Sequence, residues 1–90
     1  MSEWSLSFTK DAESDFGKLD SENRKRIFQK LERLVKNFDA INHIPLAGPW
    51  QGFFKLRTGD WRVIYEINYD KLLLVVYAVG RRDKVYKLRR

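Results

Sequence analysis

Residues 72–80 read LLLVVYAVG and contain no charged side chain. A half-buried strand alternates apolar and polar positions; this run is apolar on both of its faces. That pattern belongs to a strand in the middle of a sheet, covered above and below. It is also far too short to cross a bilayer as a helix. The chain must therefore supply other strands beside it.

The residues before it supply two strands. In WQGFFKLR, Phe54 and Leu56 fall on one face and Phe53, Lys55 and Arg57 on the other. TGD forms a turn. In WRVIYEIN, Trp61, Val63, Tyr65 and Ile67 share one face, with Arg62, Ile64, Glu66 and Asn68 opposite. YDK turns the chain into the apolar run. Near the N-terminus, WSLSF alternates Trp4, Leu6 and Phe8 with serines and predicts another strand.

Between these strands the periodicity changes to that of helices. Thr9 fits an N-cap, acidic residues follow it, and Ala12, Phe16 and Leu19 make an apolar stripe that Gly17 weakens or ends. A second helix is capped by Asp20 or Ser21, and Ile27, Phe28, Leu31, Leu34, Val35 and Phe38 form its apolar face. The short link between the two predicts a helical hairpin. DAINHIPLAGPWQG, with both prolines and two glycines, reads as a loop, and its His43 as incidental. The expected fold is α+β, in the order β-α-α-β-β-β: an antiparallel sheet with a two-helix hairpin packed on one face. At 90 residues, positions 1–90 are expected to form one domain.

Charge is distributed unevenly. Residues 1–40 hold 8 Lys+Arg and 8 Asp+Glu, whereas residues 41–90 hold 10 and 4, which places the whole +6 in the second half. Such asymmetry points to a polyanionic partner or to a solvated surface. With no cysteine and one histidine, disulfides and Cys-based zinc sites are excluded. MSEWSLSFTK shows no signal peptide, so a cytoplasmic protein without membrane attachment is expected.

In a meander, Lys55, Arg57 and Arg62 would share the exposed sheet face opposite the helices. The last strand would deliver Arg81 and Arg82 at its end, with Tyr86 beyond. Arginine forks match phosphate oxygens, a lysine crowded by cations is pushed toward its neutral form, and a tyrosine stacks on a base. Those groups suit RNA cleavage by 2′-OH attack. They equally suit a strand surface whose charges guard against aggregation.

The segment PLAGPWQGFFKLRTGDWRVIYEINYDKLLLVVYAVGRRDKVY resembles the RelE/ParE superfamily of type II toxins, nearer its RelE branch. The shared elements are Leu46 and Gly48, the run Lys55–Arg57, the run Gly59–Tyr65, and Val79–Arg82 followed by Tyr86. The resemblance implies a toxin of a toxin–antitoxin system. It implies a metal-independent, cofactor-free endoribonuclease that enters the ribosomal A site, against 16S rRNA, and cuts mRNA there. It further implies Lys55, Arg62, Arg82 and Tyr86 as catalytic residues, Arg57 and Arg81 as RNA contacts, and a cognate antitoxin as partner. The alternatives are a ParE-like inhibitor of DNA gyrase and a non-catalytic RNA- or ribosome-binding module. One position departs from the pattern: the RelE branch has a second lysine two residues before the one matching Lys55, and this chain has Phe53.

Overall fold

A computed structural model describes residues 3–88. The last two arginines of the basic tail lie outside the described residues. Strand β1 is Ser5–Phe8, helix α1 Lys10–Gly17 and helix α2 Ser21–Lys36; β2 is Ile44–Pro45, β3 Phe54–Thr58, β4 Trp61–Asn68 and β5 Leu73–Arg81. The α+β class and the helical hairpin on one sheet face agree with the sequence reading.

Both helices begin where their capping residues predict. Thr9 Oγ1 accepts from the Ala12 N–H at 3.1 Å, and Asp20 Oδ1 from the Asn23 N–H at 2.8 Å. Ile27, Leu31 and Leu34 of α2 are buried. They meet Val63, Tyr65, Leu74, Val76 and Val79 from the sheet, which with Ala12, Leu19 and Phe38 form the main core.

The sheet has five strands in the order β1-β5-β4-β3-β2, and it is mixed rather than wholly antiparallel. β3, β4 and β5 make the expected meander, but β1 pairs with β5 in parallel, Ser5 beside Leu73 through Phe8 beside Val76. The reason is that β5, apolar on both faces, is the free edge of the meander. β1 covers that edge and makes β5 interior. Where β1 ends, α1 continues the edge: Asp15 Oδ2 accepts from the Val79 N–H at 3.2 Å.

The segment expected to be loop alone contains β2, which pairs antiparallel with β3 through Ile44–Lys55 and Pro45–Phe54. His43 anchors this segment. Its Nε2 lies 3.0 Å from the Phe38 carbonyl oxygen, so it donates there, which leaves Nδ1 to accept from the Tyr65 hydroxyl at 2.7 Å. Burial, helped by nearby Tyr69, pushes the Tyr65 hydroxyl well above the ordinary tyrosine pKa. Among the described residues, no helix is long and apolar enough to cross a membrane.

Candidate nucleic-acid interface

Register places the hairpin's basic residues. Arg57 lies opposite Arg62, Lys55 opposite Ile64, and Arg62 opposite Gly80 on the next strand. Lys55, Arg57 and Arg62 therefore share the sheet face away from the helices, as expected. Lys55 is partly buried and Arg57 exposed. Neither side chain has a hydrogen bond or ion pair among the described residues, so both cations are available.

Arg62 differs from the exposed residue the sequence suggested. It is only 9% exposed. Its Nη1 donates to the Gly59 and Trp61 carbonyl oxygens, each at 2.8 Å. Two guanidinium groups facing each other across one register repel. Arg62 relieves this by folding toward the β3–β4 turn, where it supplies donors to backbone oxygens. Gly59 takes φ +59 in that turn, a conformation suited to glycine.

The same face is not an open basic platform. Trp50, Phe53, Ile64, Ala78 and Val85 form a second core, flanked by Leu46, Tyr77 and Leu88. The Phe53 ring meets Trp50 edge-on at 5.4 Å and Tyr77 at 4.8 Å between centroids. Phe53 thus fills a hydrophobic position where the RelE pattern has a lysine. The residues after β5 close this core from above through a 3₁₀ turn at Val85–Lys87. Gly80 permits the approach: a Cβ there would sit 3.3 Å from Val85 Cβ and 3.4 Å from its Cα. An extra residue, Tyr77, interrupts the pairing between Ile64–Ala78 and Tyr65–Val76, a β-bulge in β5.

This closing segment carries two further candidates. Tyr86 is 37% exposed, and its ring centroid lies 6.5 Å from that of Trp50. The Trp50 indole N–H donates to the Tyr86 carbonyl oxygen at 3.2 Å. Arg82 is exposed, and its backbone N–H donates to the Asp60 carbonyl oxygen at 2.8 Å, which ties the chain leaving β5 to the β3–β4 turn. Arg81 is set apart from the group. It pairs in register with Trp61, which packs toward the helical core. Its guanidinium lies 5.7 Å from the Trp61 ring centroid and 4.0 Å from Asp60 Oδ2. The structure therefore brings Lys55, Arg57 and Arg62 to one face, sets Tyr86 and Arg82 on the segment that caps it, and turns Arg81 to the other side.

Glu66, the acidic residue expected on this face, is exposed toward the opposite end of β4, where it lines an open cleft of about 430 Å³ with Asn68 and Asp70. Among the described residues, no three His, Cys, Asp or Glu side chains cluster as metal ligands would. Sequence reasoning placed Phe53 on this face but missed the second core it forms with Trp50, and the close approach at Gly80. The available signal was that Phe53, Ile64 and Ala78 alternate onto the face that also carries the cations. An apolar patch there needs a cover.

Comparison with known proteins agrees with this architecture. Residues 6–86 match the family described as the ParE toxin of type II toxin–antitoxin systems, parDE. A RelE-like toxin protein of Escherichia coli is 30% identical over 92 residues, covering 94% of this chain and 92% of that protein. A variant of the E. coli toxin RelE with two arginines replaced by alanine, in the free state, superposes with a TM-score of 0.75 at 27% identity, over 97% of this chain and 93% of that one. In the RelBE2 toxin–antitoxin complex of Mycobacterium tuberculosis, one chain shares the fold at a TM-score of 0.77 and 24% identity, over 88% of this chain and 98% of its own.

Proposed function

The chain belongs to the ParE toxin family of type II toxin–antitoxin systems, within the RelE/ParE superfamily, and from that premise we propose that it is an endoribonuclease that cuts mRNA in the ribosomal A site. The observation that carries this reading is the pair of cations, Lys55 and Arg57, without a partner among the described residues, on a sheet face bordered by the exposed ring of Tyr86.

In the proposed reaction the ribose 2′-OH attacks the adjacent phosphorus and the P–O5′ bond breaks. The products are a 2′,3′-cyclic phosphate and a 5′-hydroxyl end. Lys55 is the proposed base that takes the 2′-OH proton. Arg57 holds a non-bridging phosphate oxygen as negative charge builds on the phosphorane. Arg82 acts at the 5′-oxygen, stabilising its charge while the oxygen takes a proton from water, and Tyr86 stacks on or orients a base. Arg62 contributes from beneath, holding the hairpin that bears the others; direct contact with phosphate would require it to release the two turn carbonyls. Arg81 contacts RNA only beyond the edge of this face. A cognate antitoxin is the proposed protein partner, in keeping with the complexes formed by proteins of this fold.

The test adds purified protein to ribosomes holding a defined mRNA with an empty A site and maps new 5′ ends. Cuts within the A-site codon that disappear with Arg82→Ala or Lys55→Ala support the reading. Intact mRNA from folded protein refutes it. The matched family bears the ParE name, so a DNA gyrase supercoiling assay is then the next measurement, with inhibition as its positive result.

A further inference from the structure

We propose that Trp50 is a positioning residue that fixes Tyr86 against the sheet. It has no group suited to the reaction and is only 6% exposed. It nevertheless reaches the closing segment: its indole N–H donates to the Tyr86 carbonyl at 3.2 Å. Its ring also faces the Tyr86 ring edge-on at 6.5 Å. Tyr86 is thus held through its own backbone and its own ring by one residue.

The rest of the closing segment is held less directly. Its backbone hydrogen bonds after Arg82 are local: Lys84 to Arg81, Lys87 to Lys84 and Leu88 to Val85. Val85 inserts into the second core over Gly80, which fixes the height of the segment. Burying Val85 does not set the rotation of the next residue about the chain, whereas a hydrogen bond to the Tyr86 carbonyl does. Phe53 and Tyr77, 4.8 Å from each other, both pack edge-on against Trp50, at 5.4 and 5.7 Å between ring centroids, and hold the indole in that orientation. The aromatic residue that replaces the RelE-branch lysine thus serves the placement of a substrate-facing tyrosine.

The functional half of this inference rests on Tyr86 as a substrate contact; the structural half does not. Two measurements separate them. The first is amide hydrogen exchange on the whole protein with Trp50→Phe, which keeps an aromatic ring and removes the N–H. Exchange at Lys87 and Leu88 is expected to speed by roughly fivefold, the scale of one neutral hydrogen bond, while amides of β4 and β5 stay unchanged. Equal acceleration throughout, or none at Lys87 and Leu88, overturns the proposal.

The second is a double-mutant cycle in the ribosome cleavage assay. Trp50→Phe should lower cleavage by roughly fivefold in the parent protein, chiefly through kcat at saturating ribosomes. In a Tyr86→Ala background it should change cleavage by less than about twofold. A full fivefold loss in both backgrounds would show that Trp50 acts by another route. If the parent protein cleaves no mRNA, the proposed activity fails, and the exchange measurement alone decides the placement of Tyr86.

Discussion

Exchanging Phe53 for lysine restores the charge of the RelE pattern, and the structure predicts that the protein is weakened by it. Phe53 is 9% exposed and touches Trp50 and Tyr77 through edge-on ring contacts. Loss of a buried phenyl forfeits about 1.5–3 kcal/mol of transfer free energy. The two ring pairs add about 0.5–1.5 kcal/mol each. A lysine recovers part of this by laying its stem along the apolar surface with the ammonium in water. The net loss is about 2–3 kcal/mol, and for a chain of this size that lowers Tm by about 10–20 °C. Thermal and urea unfolding, followed by circular dichroism, measure it directly. The reasoning fails if Tm stays within a few degrees of the parent value. It fails more instructively if Tm is unchanged and cleavage rises, because position 53 would then be open to substrate and the second core would not close that face. The informative cleavage measurement is made well below the variant's Tm, so that any change reflects the site.

Three further outcomes are expected. Arg62→Ala removes two hydrogen bonds from a charged donor and should cost about 2 kcal/mol, with Arg62→Lys restoring less than half; urea midpoints would show this whether or not RNA is cleaved, and an unchanged midpoint would count against the turn-capping role. Gly80→Val sets a branched side chain against Val85 and should cost about 1–3 kcal/mol by overpacking, with amide exchange at Lys87 and Leu88 rising well before that of β4. The raised pKa of Tyr65 means that the folded state holds the hydroxyl proton more tightly than the unfolded chain does. Its contribution is therefore complete below the unfolded value near pH 10 and declines above it, by up to about 1.4 kcal/mol per pH unit; Tyr65→Phe should abolish that part of the decline while costing about 1 kcal/mol at neutral pH through the lost bond to His43.

Periodicity made most of the architecture legible. Ile27, Leu31 and Leu34 identified the buried side of α2, and Trp61, Val63, Tyr65 and Ile67 the core side of β4, because each element buries one face against the same core. The parallel pairing of β1 was not legible: Trp4, Leu6 and Phe8 reveal which face is buried and say nothing of which edge receives the strand. β2 was hidden because two residues carry no period. In the site, parity alone placed Lys55, Arg57 and Arg62 on one face. It could not show that Arg62 bends back onto Gly59 and Trp61, since a rotamer choice leaves no trace in alternation. Arg81 and Arg82 are neighbours in sequence, and a strand sends neighbours to opposite sides; the same rule that gathered the hairpin cations could have separated these two. The second core was not read, although Phe53 and Ile64 alternate onto the cation face; its cover comes from residues beyond β5, whose turn has no apolar period to announce it.

The position of β5 bears on how the protein comes into being. It is synthesised after the other four strands, yet both β1 and β4 depend on it as a neighbour. Thr9 meets the Tyr77 carbonyl across 68 positions of chain. Until β5 emerges, a nascent chain holds only the β3–β4 hairpin and its two-residue edge, which are marginal without further strands. The sheet therefore assembles only after β5 has left the ribosome. For a protein proposed to cut messages on ribosomes, a folded sheet exists only once its own ribosome has read through β5 and released it.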